Sequence, residues 1–287
     1  MKFTTYLRQG APRLAVIDGG DLIDLNDADA QVPADMRAAL RAGTDLQAAG
    51  RRAIEAGKRQ ALDGTKLAPL VPEPGKIICL GLNYYDHAKE GGREKPDYPW
   101  FFFRAASSLV AHGEAGWLPR VSSRFDYEAE LAVVIGTAVP RHTTQADALG
   151  HVFGYACFND MSVRDYQKRT PQWTIGKNFD RTGGFGPVLV TADELAPGAT
   201  GLRIQSRLNG QVMQDANTDD MIFSVAETIA LLAEVLTLEP GDVIVMGTPA
   251  GVGQARTPPV WMKAGDTIEI DIERVGLLSN PIANEAA

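Results

Sequence analysis

Apolar residues along the chain occur mostly in short runs, and glycine and proline separate these runs. Five runs predict strands, and they lie at 77–80, 100–103, 131–135, 152–158 and 188–190. The run at 131–135 is apolar at every position, which indicates a strand covered on both faces. Helical periodicity is clearest at 224–236, where Ser224 and Glu227 fit a capping box ahead of an apolar stripe. The pattern therefore predicts a mainly β protein with a few helices that serve packing.

The beginning of the chain has a different pattern, which predicts a small α+β module. Two short apolar runs flank the sequence Asp-Gly-Gly-Asp at 18–21, which is typical of a hairpin turn. An alanine-rich stretch at 35–62 favours helix. Three prolines and a glycine at 67–75 cannot continue a helix, so they predict a linker. We place the small module at 1–72 and a larger domain at 73–287.

Two glutamates lie at and just before the start of the most apolar strand. Residues i and i+2 of a strand project from the same face, so Glu128 and Glu130 would lie side by side. Burying two ionised carboxylates is very unfavourable without a compensating cation, and oxygen ligands suit a hard divalent ion. By contrast, acids alternate with isoleucines at 267–273, which indicates a solvated acidic face. The glutamate pair therefore predicts a buried metal site.

A hard cation needs further oxygen ligands, and Asp160 is the next candidate. It follows the predicted strand at 152–158, so it would lie at a strand end. If the following segment is helical, Asp160, Arg164 and Gln167 share one face and bring together an acid, a cation and an amide. The alternative is a helix N-cap at Asn159 or Asp160 followed by a solvated turn. The nearby glutamate pair favours the metal ligand.

Four further residues are candidates for substrate contact or proton transfer. Lys177 stands in an apolar and aromatic stretch, either as an ordinary surface lysine or as a partner for an anionic substrate. His87 and Glu90 are three apart, so in one helical turn they form either a surface ion pair or an oriented base that activates water. Thr248 lies on a glycine-rich loop after an apolar strand. No Gly-Lys-Ser/Thr sequence follows it, which argues against nucleotide binding.

Composition and charge narrow the class of partner. The 287 residues carry a formal net charge of −8, which argues against nucleic acid or an acidic membrane surface. No stretch is apolar enough for a membrane span, and the N-terminus lacks the apolar core of a signal peptide. Cys79 and Cys157 lie in apolar runs, where reduced buried thiols are expected in preference to a disulfide. We therefore expect a cytoplasmic protein that acts on a small molecule.

Five motifs, taken in order, resemble the fumarylacetoacetate hydrolase family. They span 76–281 and are Gly-Leu-Asn-Tyr-Tyr-Asp-His-x-x-Glu, Asp-Tyr-Glu-x-Glu-Leu, Asn-Asp-x-Ser-x-Arg-Asp-x-Gln, Gly-Lys-x-Phe-Asp and Gly-Thr-Pro-x-Gly-Val-Gly. The resemblance implies a mixed β-sandwich roll, so the whole chain is expected to be α+β and mainly β. It also implies a homodimer that binds Mg²⁺, or Mn²⁺ or Ca²⁺ in its place. The implied metal ligands are Glu128, Glu130 and Asp160.

The resemblance also implies roles for the remaining candidates. Substrate-contacting positions of the family match Arg164, Gln167, Lys177 and Thr248. The water-activating pair of the acylpyruvase-like branch matches His87 and Glu90. Many relatives continue the lysine motif as Gly-Lys-Ser-x-Asp with Thr-Phe-x-Pro, whereas Asn178 and then Arg-Thr-Gly-Gly-Phe stand here, so we expect a different pocket. Four further residues are either ordinary surface residues or contacts for the distal end of the substrate, namely Arg93, Arg169, Gln172 and Arg181.

These features predict a metal-dependent hydrolase that cleaves a carbon–carbon bond in 2,4-dioxo acids. The substrate would be an acylpyruvate or a 2,4-diketo-3-deoxy sugar acid, and the products pyruvate and a carboxylic acid. His87, Glu90 and Lys177 would be catalytic, with His87 taking a proton from the attacking water. The metal would act as a Lewis acid.

Two alternatives stay open on the sequence alone. The enolate of pyruvate also forms when oxaloacetate is decarboxylated, and a related proton shift would make the protein an enol–keto isomerase of the 2-hydroxyhepta-2,4-diene-1,7-dioate type. A non-catalytic sensor of sugar acids is less favoured, because binding alone does not need a water-activating pair.

Overall fold

The computed structural model describes residues 1–285, and strands dominate this part of the chain. Within these residues the strands are β1 (Lys2–Arg8), β2 (Ala11–Asp18), β3 (Asp21–Asp24), β4 (Arg59–Ala61), β5 (Ile77–Gly81), β6 (Trp100–Arg104), β7 (Leu109–Val110), β8 (Gly116–Leu118), β9 (Phe125–Asp126), β10 (Ala129–Ile135), β11 (Val152–Asp160), β12 (Ser162–Val163), β13 (Gly183–Thr191), β14 (Arg203–Leu208), β15 (Gln211–Asn217), β16 (Val243–Val245), β17 (Thr267–Ile272) and β18 (Gly276–Asn284). All five predicted strands are present, as β5, β6, β10, β11 and β13. The mainly β class is confirmed.

The α-helices of the described residues are short. They are α1 (Leu25–Ala28), α2 (Met36–Arg41), α3 (Leu46–Ala56), α4 (Tyr85–Glu90), α5 (Gln145–Ala148), α6 (Arg164–Gln167), α7 (Thr174–Lys177) and α8 (Val225–Val235). Helix α8 begins as predicted, because the Ser224 hydroxyl accepts a hydrogen bond from the Glu227 N–H at 3.2 Å. None of the helices in residues 1–285 has both the length and the apolar character needed to cross a membrane.

The composition of the alanine-rich stretch at 35–62 suggested helix throughout, but the structure shows no continuous helix there. It divides into α2, α3 and the short strand β4. Asp35 and Asp45 each cap a new helix by accepting a backbone N–H three residues later. Gly43, with a φ of 68°, turns the chain between the two helices. Local capping chemistry therefore overrides the helix propensity of alanine.

One large sheet joins the beginning of the chain to the rest of the molecule. Its order is β4-β3-β2-β1-β13-β11-β10-β16-β5-β6, with β7 also paired to β13. Strand β1 runs antiparallel to β13, so the N-terminal module extends the main sheet. The proline-rich segment at 67–75 packs against the body, since Leu70 and Val71 are fully buried. The division of the chain at 72/73 stays a prediction.

A second sheet covers one face of the first. Its order is β15-β14-β17-β18-β8. Alternate residues of β10 pack on opposite faces: Leu131 and Val133 share a core with isoleucines of β17, whereas Ala132 and Val134 share a core with the N-terminal module. Strand β10 is therefore buried on both faces, as its unbroken apolar run predicts.

Candidate active site

Three carboxylates meet where β10 and β11 run side by side. Glu130 lies on β10, Glu128 just before it, and Asp160 at the end of β11. One oxygen from each of the three lies within 4.8 Å of the others, and all three residues are at least 96% buried. The acidic triad predicted from the sequence is therefore present in the structure.

The backbone at Glu128 departs from the regular strand that was predicted. The pairing of β9 ends at Asp126, and β10 begins only at Ala129. The side-chain oxygen of Asn159 accepts the Glu128 N–H at 3.1 Å, and the Glu128 carbonyl accepts the Asp160 N–H at 3.0 Å. A side-chain amide thus replaces one bond of the strand ladder. Both glutamates still face the same cavity.

Cations surround two of the three acids. The ammonium of Lys177 lies 2.6 Å from Glu128 and 2.5 Å from Asp160, and it is 2% exposed rather than on the surface. Arg164 Nη1 lies 2.6 Å from the second oxygen of Glu128. Arg104, whose side chain is fully buried, pairs with Asp160. These contacts neutralise Glu128 and Asp160 within the interior.

Glu130 has a different environment from its two neighbours. Within residues 1–285 it forms no salt bridge, and its Oε2 accepts the Gly247 N–H at 2.6 Å. Glycine suits this position, because φ is 88° and a Cβ would lie 2.7 Å from the Cβ of Asn83. The loop after β16 can therefore approach Glu130 with its backbone.

The pKa values of the two glutamates shift in opposite directions. Burial opposes ionisation of Glu128, but Lys177 and Arg164 outweigh it and hold the pKa well below its usual range. Burial, followed by the charges of Asp160 and Glu128, raises the pKa of Glu130 well above its usual range. The triad therefore lacks positive charge at Glu130. A hard divalent cation would supply that charge, and the all-oxygen donor set fits one.

Asp126 is fully buried beside the triad but is not part of it. Its Oδ1 accepts the backbone N–H of Gly253 at 2.7 Å, and its Oδ2 accepts Arg164 Nε at 2.8 Å and the Gln254 N–H at 3.0 Å. Asp126 therefore fixes the guanidinium of Arg164 and the loop at 253–254. No pattern in the sequence indicated this role.

The predicted histidine–glutamate pair forms on helix α4. His87 Nδ1 and Glu90 Oε1 are 2.7 Å apart, and Glu90 Oε2 accepts the Gly251 N–H at 2.9 Å. An ionised carboxylate only accepts hydrogen bonds, so Nδ1 carries the proton and Nε2 is the basic nitrogen. The pair therefore has the arrangement of an oriented general base.

A cavity of about 320 Å³ brings these elements together. Eight of the nine predicted site residues line it, namely His87, Glu90, Glu128, Glu130, Arg164, Gln167, Lys177 and Thr248. Asp160 contacts the ammonium of Lys177, one of the lining residues. The hydroxyl of Thr248 accepts a hydrogen bond from the Gln214 amide at 2.7 Å. Residues predicted from separate motifs thus share one cavity.

The helical face expected for Asp160, Arg164 and Gln167 does not form. Residues 162–163 pair with β9 as a strand, so helix α6 begins only at Arg164. Arg164 and Gln167 meet nevertheless, because Arg164 Nη1 donates to Gln167 at 2.9 Å, and the same nitrogen contacts Glu128 of the triad. Arg164 Nη2 is buried without a hydrogen-bond partner among the described residues, which leaves a donor for a ligand.

Several residues of the site were not predicted. Arg104 ends the aromatic strand Trp-Phe-Phe-Phe-Arg, and a cation closing such an apolar run is the signal that could have identified it. Lys168 and Gln254 also line the cavity. Of the four candidates for the distal end of the substrate, Arg93 lines the cavity. Arg169 lies over the ring of Tyr166 at 3.6 Å, and Arg181 pairs with Glu114 at 2.8 Å.

A buried acidic triad that opens into a cavity beside a histidine–glutamate pair is typical of metal-dependent enzymes. The family described as Fumarylacetoacetate (FAA) hydrolase C-terminal matches residues 76–283. This chain belongs to the fumarylacetoacetate hydrolase family, as its motifs predicted.

Similar proteins support both the family and the fold. The chain is 40% identical over 273 residues to the mitochondrial oxaloacetate tautomerase fahd2 of Xenopus laevis, covering 94% of this chain and 85% of that protein. The fumarylacetoacetate hydrolase of Exiguobacterium antarcticum is 33% identical, with a TM-score of 0.87 over 99% of this chain and 100% of that chain. Maleylpyruvate hydrolase of Sphingobium sp. SYK-6, solved with manganese(II) and pyruvate, is 31% identical, with a TM-score of 0.83 over 100% of both chains.

Proposed function

We propose that this protein is a divalent-metal-dependent enol–keto tautomerase of 2-oxo dicarboxylic acids such as oxaloacetate. The observation that carries the proposal is the placement of the oriented base His87 in the same cavity as the acidic triad. The similarity to an oxaloacetate tautomerase along most of the chain supports it. The sequence alone favoured a hydrolase and kept an isomerase as an alternative.

Glu128, Glu130 and Asp160 would hold the metal, which would be Mg²⁺, Mn²⁺ or Ca²⁺. When bound, the ion would act as a Lewis acid that stabilises negative charge developing on substrate oxygen. Carboxylates of this chain thus provide the binding site, while the protein's own cations face the rest of the substrate.

The cationic groups of the cavity suit an anionic substrate. Lys177 and Arg164 are buried and charged, and the unpartnered Nη2 of Arg164 is available to a carboxylate. Gln167 and Thr248 add an amide and a hydroxyl to the same wall. These side chains would orient the 2-oxo acid with its reacting carbon toward His87.

One group that both accepts and donates a proton is sufficient for this proton transfer. Conversion of the enol to the keto form removes a proton from the 2-hydroxyl group and adds a proton at C3. His87 Nε2 can accept the first proton and return one to C3, since Glu90 holds Nδ1–H and stabilises the imidazolium. No bond between carbon atoms breaks in this reaction.

A second candidate function is hydrolysis of 2,4-dioxo acids. The same His87–Glu90 pair could instead take a proton from a water that attacks the 4-carbonyl. The similarity to a maleylpyruvate hydrolase over the full chain supports this candidate. Decarboxylation of oxaloacetate would use the same cavity and would release carbon dioxide and pyruvate.

One set of assays distinguishes these activities. Purified protein with Mg²⁺ or Mn²⁺ is mixed with the enol form of oxaloacetate, and the ultraviolet absorbance of the enol is followed while pyruvate is measured separately. Faster loss of enol without pyruvate supports the tautomerase. Pyruvate from oxaloacetate indicates a decarboxylase. Cleavage of acylpyruvates without any acceleration of enol loss would overturn the tautomerase proposal in favour of the hydrolase.

A further inference from the structure

A second cavity of about 310 Å³ adjoins the main cavity beside helix α6. We call it the side cavity, and it is lined by Arg124, Arg164, Lys168, Gln254, Pro259 and Trp261. Arg164, Lys168 and Gln254 line the main cavity as well. The two cavities therefore meet at these three side chains, which we call the junction.

Positive charge at the junction exceeds the negative charge that faces it. Arg164 is paired with Asp126 and Glu128, yet its buried Nη2 has no hydrogen-bond partner in residues 1–285. Lys168 and Arg124 form no salt bridge with any described residue. Although Lys168 is an exposed residue, partial desolvation, followed by the charges of Arg164 and Arg124, lowers the pKa of its ammonium.

The third member of the junction also has unused hydrogen-bonding capacity. Gln254 Oε1 is buried without a partner among the described residues. The oxygen and nitrogen of a side-chain amide differ little in shape, so rotation of this group would present its NH₂ donors instead. Asp126 accepts hydrogen bonds from the backbone N–H of Gln254 and from the Arg164 guanidinium, so it holds the Gln254 backbone beside Arg164.

We propose that the junction binds the second carboxylate of a dicarboxylic 2-oxo acid. Lys168 and Arg164 Nη2 supply charged donors, Gln254 supplies an amide, and the side cavity gives room for acids longer than four carbons. This inference rests on the proposed function, because it specifies the substrate class of the same site.

Binding of two matched acids tests the junction without turnover. 2-Oxoglutarate and 2-oxovalerate have the same carbon chain, and a carboxylate in the first replaces a methyl group in the second. Calorimetric titration with Mn²⁺ present is expected to show about tenfold tighter binding of 2-oxoglutarate, from one charged hydrogen-bonded contact. Lys168→Met should remove most of this preference and leave the affinity for 2-oxovalerate unchanged. Because Lys168 is exposed, its replacement does not threaten folding.

Arg169→Met is the matched control. Arg169 is the next residue and also exposed, but its guanidinium lies over Tyr166 and it lines neither cavity among the described residues. The substitution changes the net charge equally, so the preference for 2-oxoglutarate should persist. An equal loss in both variants would mean that long-range charge, rather than contact, causes the preference, and would overturn the junction.

Other results separate this inference from the proposed function. Equal binding of the two acids by the unsubstituted protein would overturn the junction, even if oxaloacetate is tautomerised. The protein could also prefer 2-oxoglutarate through Lys168 and yet fail to accelerate enol loss. That result would support carboxylate binding at the junction and would overturn only the proposed tautomerase activity.

Discussion

Two segments of this chain carry acids at alternate positions, one on β17 and one at the start of β10, and only the second belongs to the site. On β17, Glu269 and Asp271 are partly exposed, and Asp271 pairs with Arg207 at 2.8 Å at the surface. Around β10, Glu128 and Glu130 are buried, and the strand residues that follow them pack against the second sheet on one face and the N-terminal module on the other. The alternation is the same, but the layers around each strand differ. An acid therefore indicates chemistry only where its strand is covered on both faces.

The largest expected difference between the regions concerns the loss of a cation. Arg104→Met would leave Asp160 short of a buried partner, so the free energy of unfolding should fall by about 3–5 kcal/mol. Arg207→Met on β14, the partner of Asp271, should lower it by no more than about 1 kcal/mol, because water screens the partly exposed pair. Urea denaturation of both variants measures the contrast. Equal effects would show that burial does not separate the two regions.

Metal affinity should depend on Glu130 and not on the acids of β17. Glu130→Gln is expected to weaken Mn²⁺ binding by more than about 100-fold, since a ligand is lost, as measured by calorimetric titration. When both proteins are free of metal, the variant should be at least as stable as the unsubstituted protein, because a buried carboxylate without a cation has been removed. Asp271→Asn serves as the control, and a matching loss of affinity there would contradict the assignment.

Removal of the metal should destabilise the protein only when the triad is intact. An ion present at about 100 times its dissociation constant stabilises the folded state by about 2.7 kcal/mol, so a chelator should lower the melting temperature. Thermal denaturation with and without chelator should show no such change for Glu130→Gln. A melting temperature insensitive to chelator in the unsubstituted protein would argue against a bound ion.

The Asp126→Asn variant tests whether every buried acid near β10 contributes to metal binding. Asp126→Asn keeps the size of the side chain but weakens its bonds to Arg164 and to the loop at 253–254. The KM for oxaloacetate should rise about tenfold, while Mn²⁺ affinity stays unchanged. Steady-state kinetics and metal titration together decide the matter. A parallel loss of metal affinity would make Asp126 part of the metal centre.

The smallest effect is expected on the surface strand itself. Glu269→Gln should change the free energy of unfolding by less than about 0.5 kcal/mol, because its partly exposed carboxylate faces water. Enol loss and metal affinity should also stay the same. A larger change in any of the three would show that the exposed acids have a role that the structure does not suggest.

The sequence was most informative where a short pattern determined both burial and chemistry. The unbroken apolar run after Glu130 correctly predicted a strand covered on both faces, and the three acids could be predicted from it and from the end of the next strand. The local route of the backbone was less predictable. The Asn159 side chain accepts the Glu128 N–H in place of a bond of the strand ladder. Residues 162–163 form β12, so the helix expected after Asp160 begins later. Such details depend on partners distant in sequence.

Buried cations were harder to predict than buried acids. The sequence around Lys177 also allowed an ordinary surface lysine, and no pattern indicated Arg104, because a single cation has no periodicity of its own. Their roles follow from the tertiary placement of the acids they neutralise. The same reason explains why the role of Asp126 was not predicted, since its partners lie 38 and 127 residues away.

The two oxygens of the Glu90 carboxylate serve different partners, because one aligns His87 and the other accepts the N–H of Gly251. The Glu90 carboxylate therefore links helix α4 to the loop after β16 and also orients the proposed base. If α4 moved away from that loop, the carboxylate would lose a backbone partner and the imidazole would lose a well-defined alignment. A movement of α4 away from this loop would therefore open the cavity and disorder the proposed base at the same time.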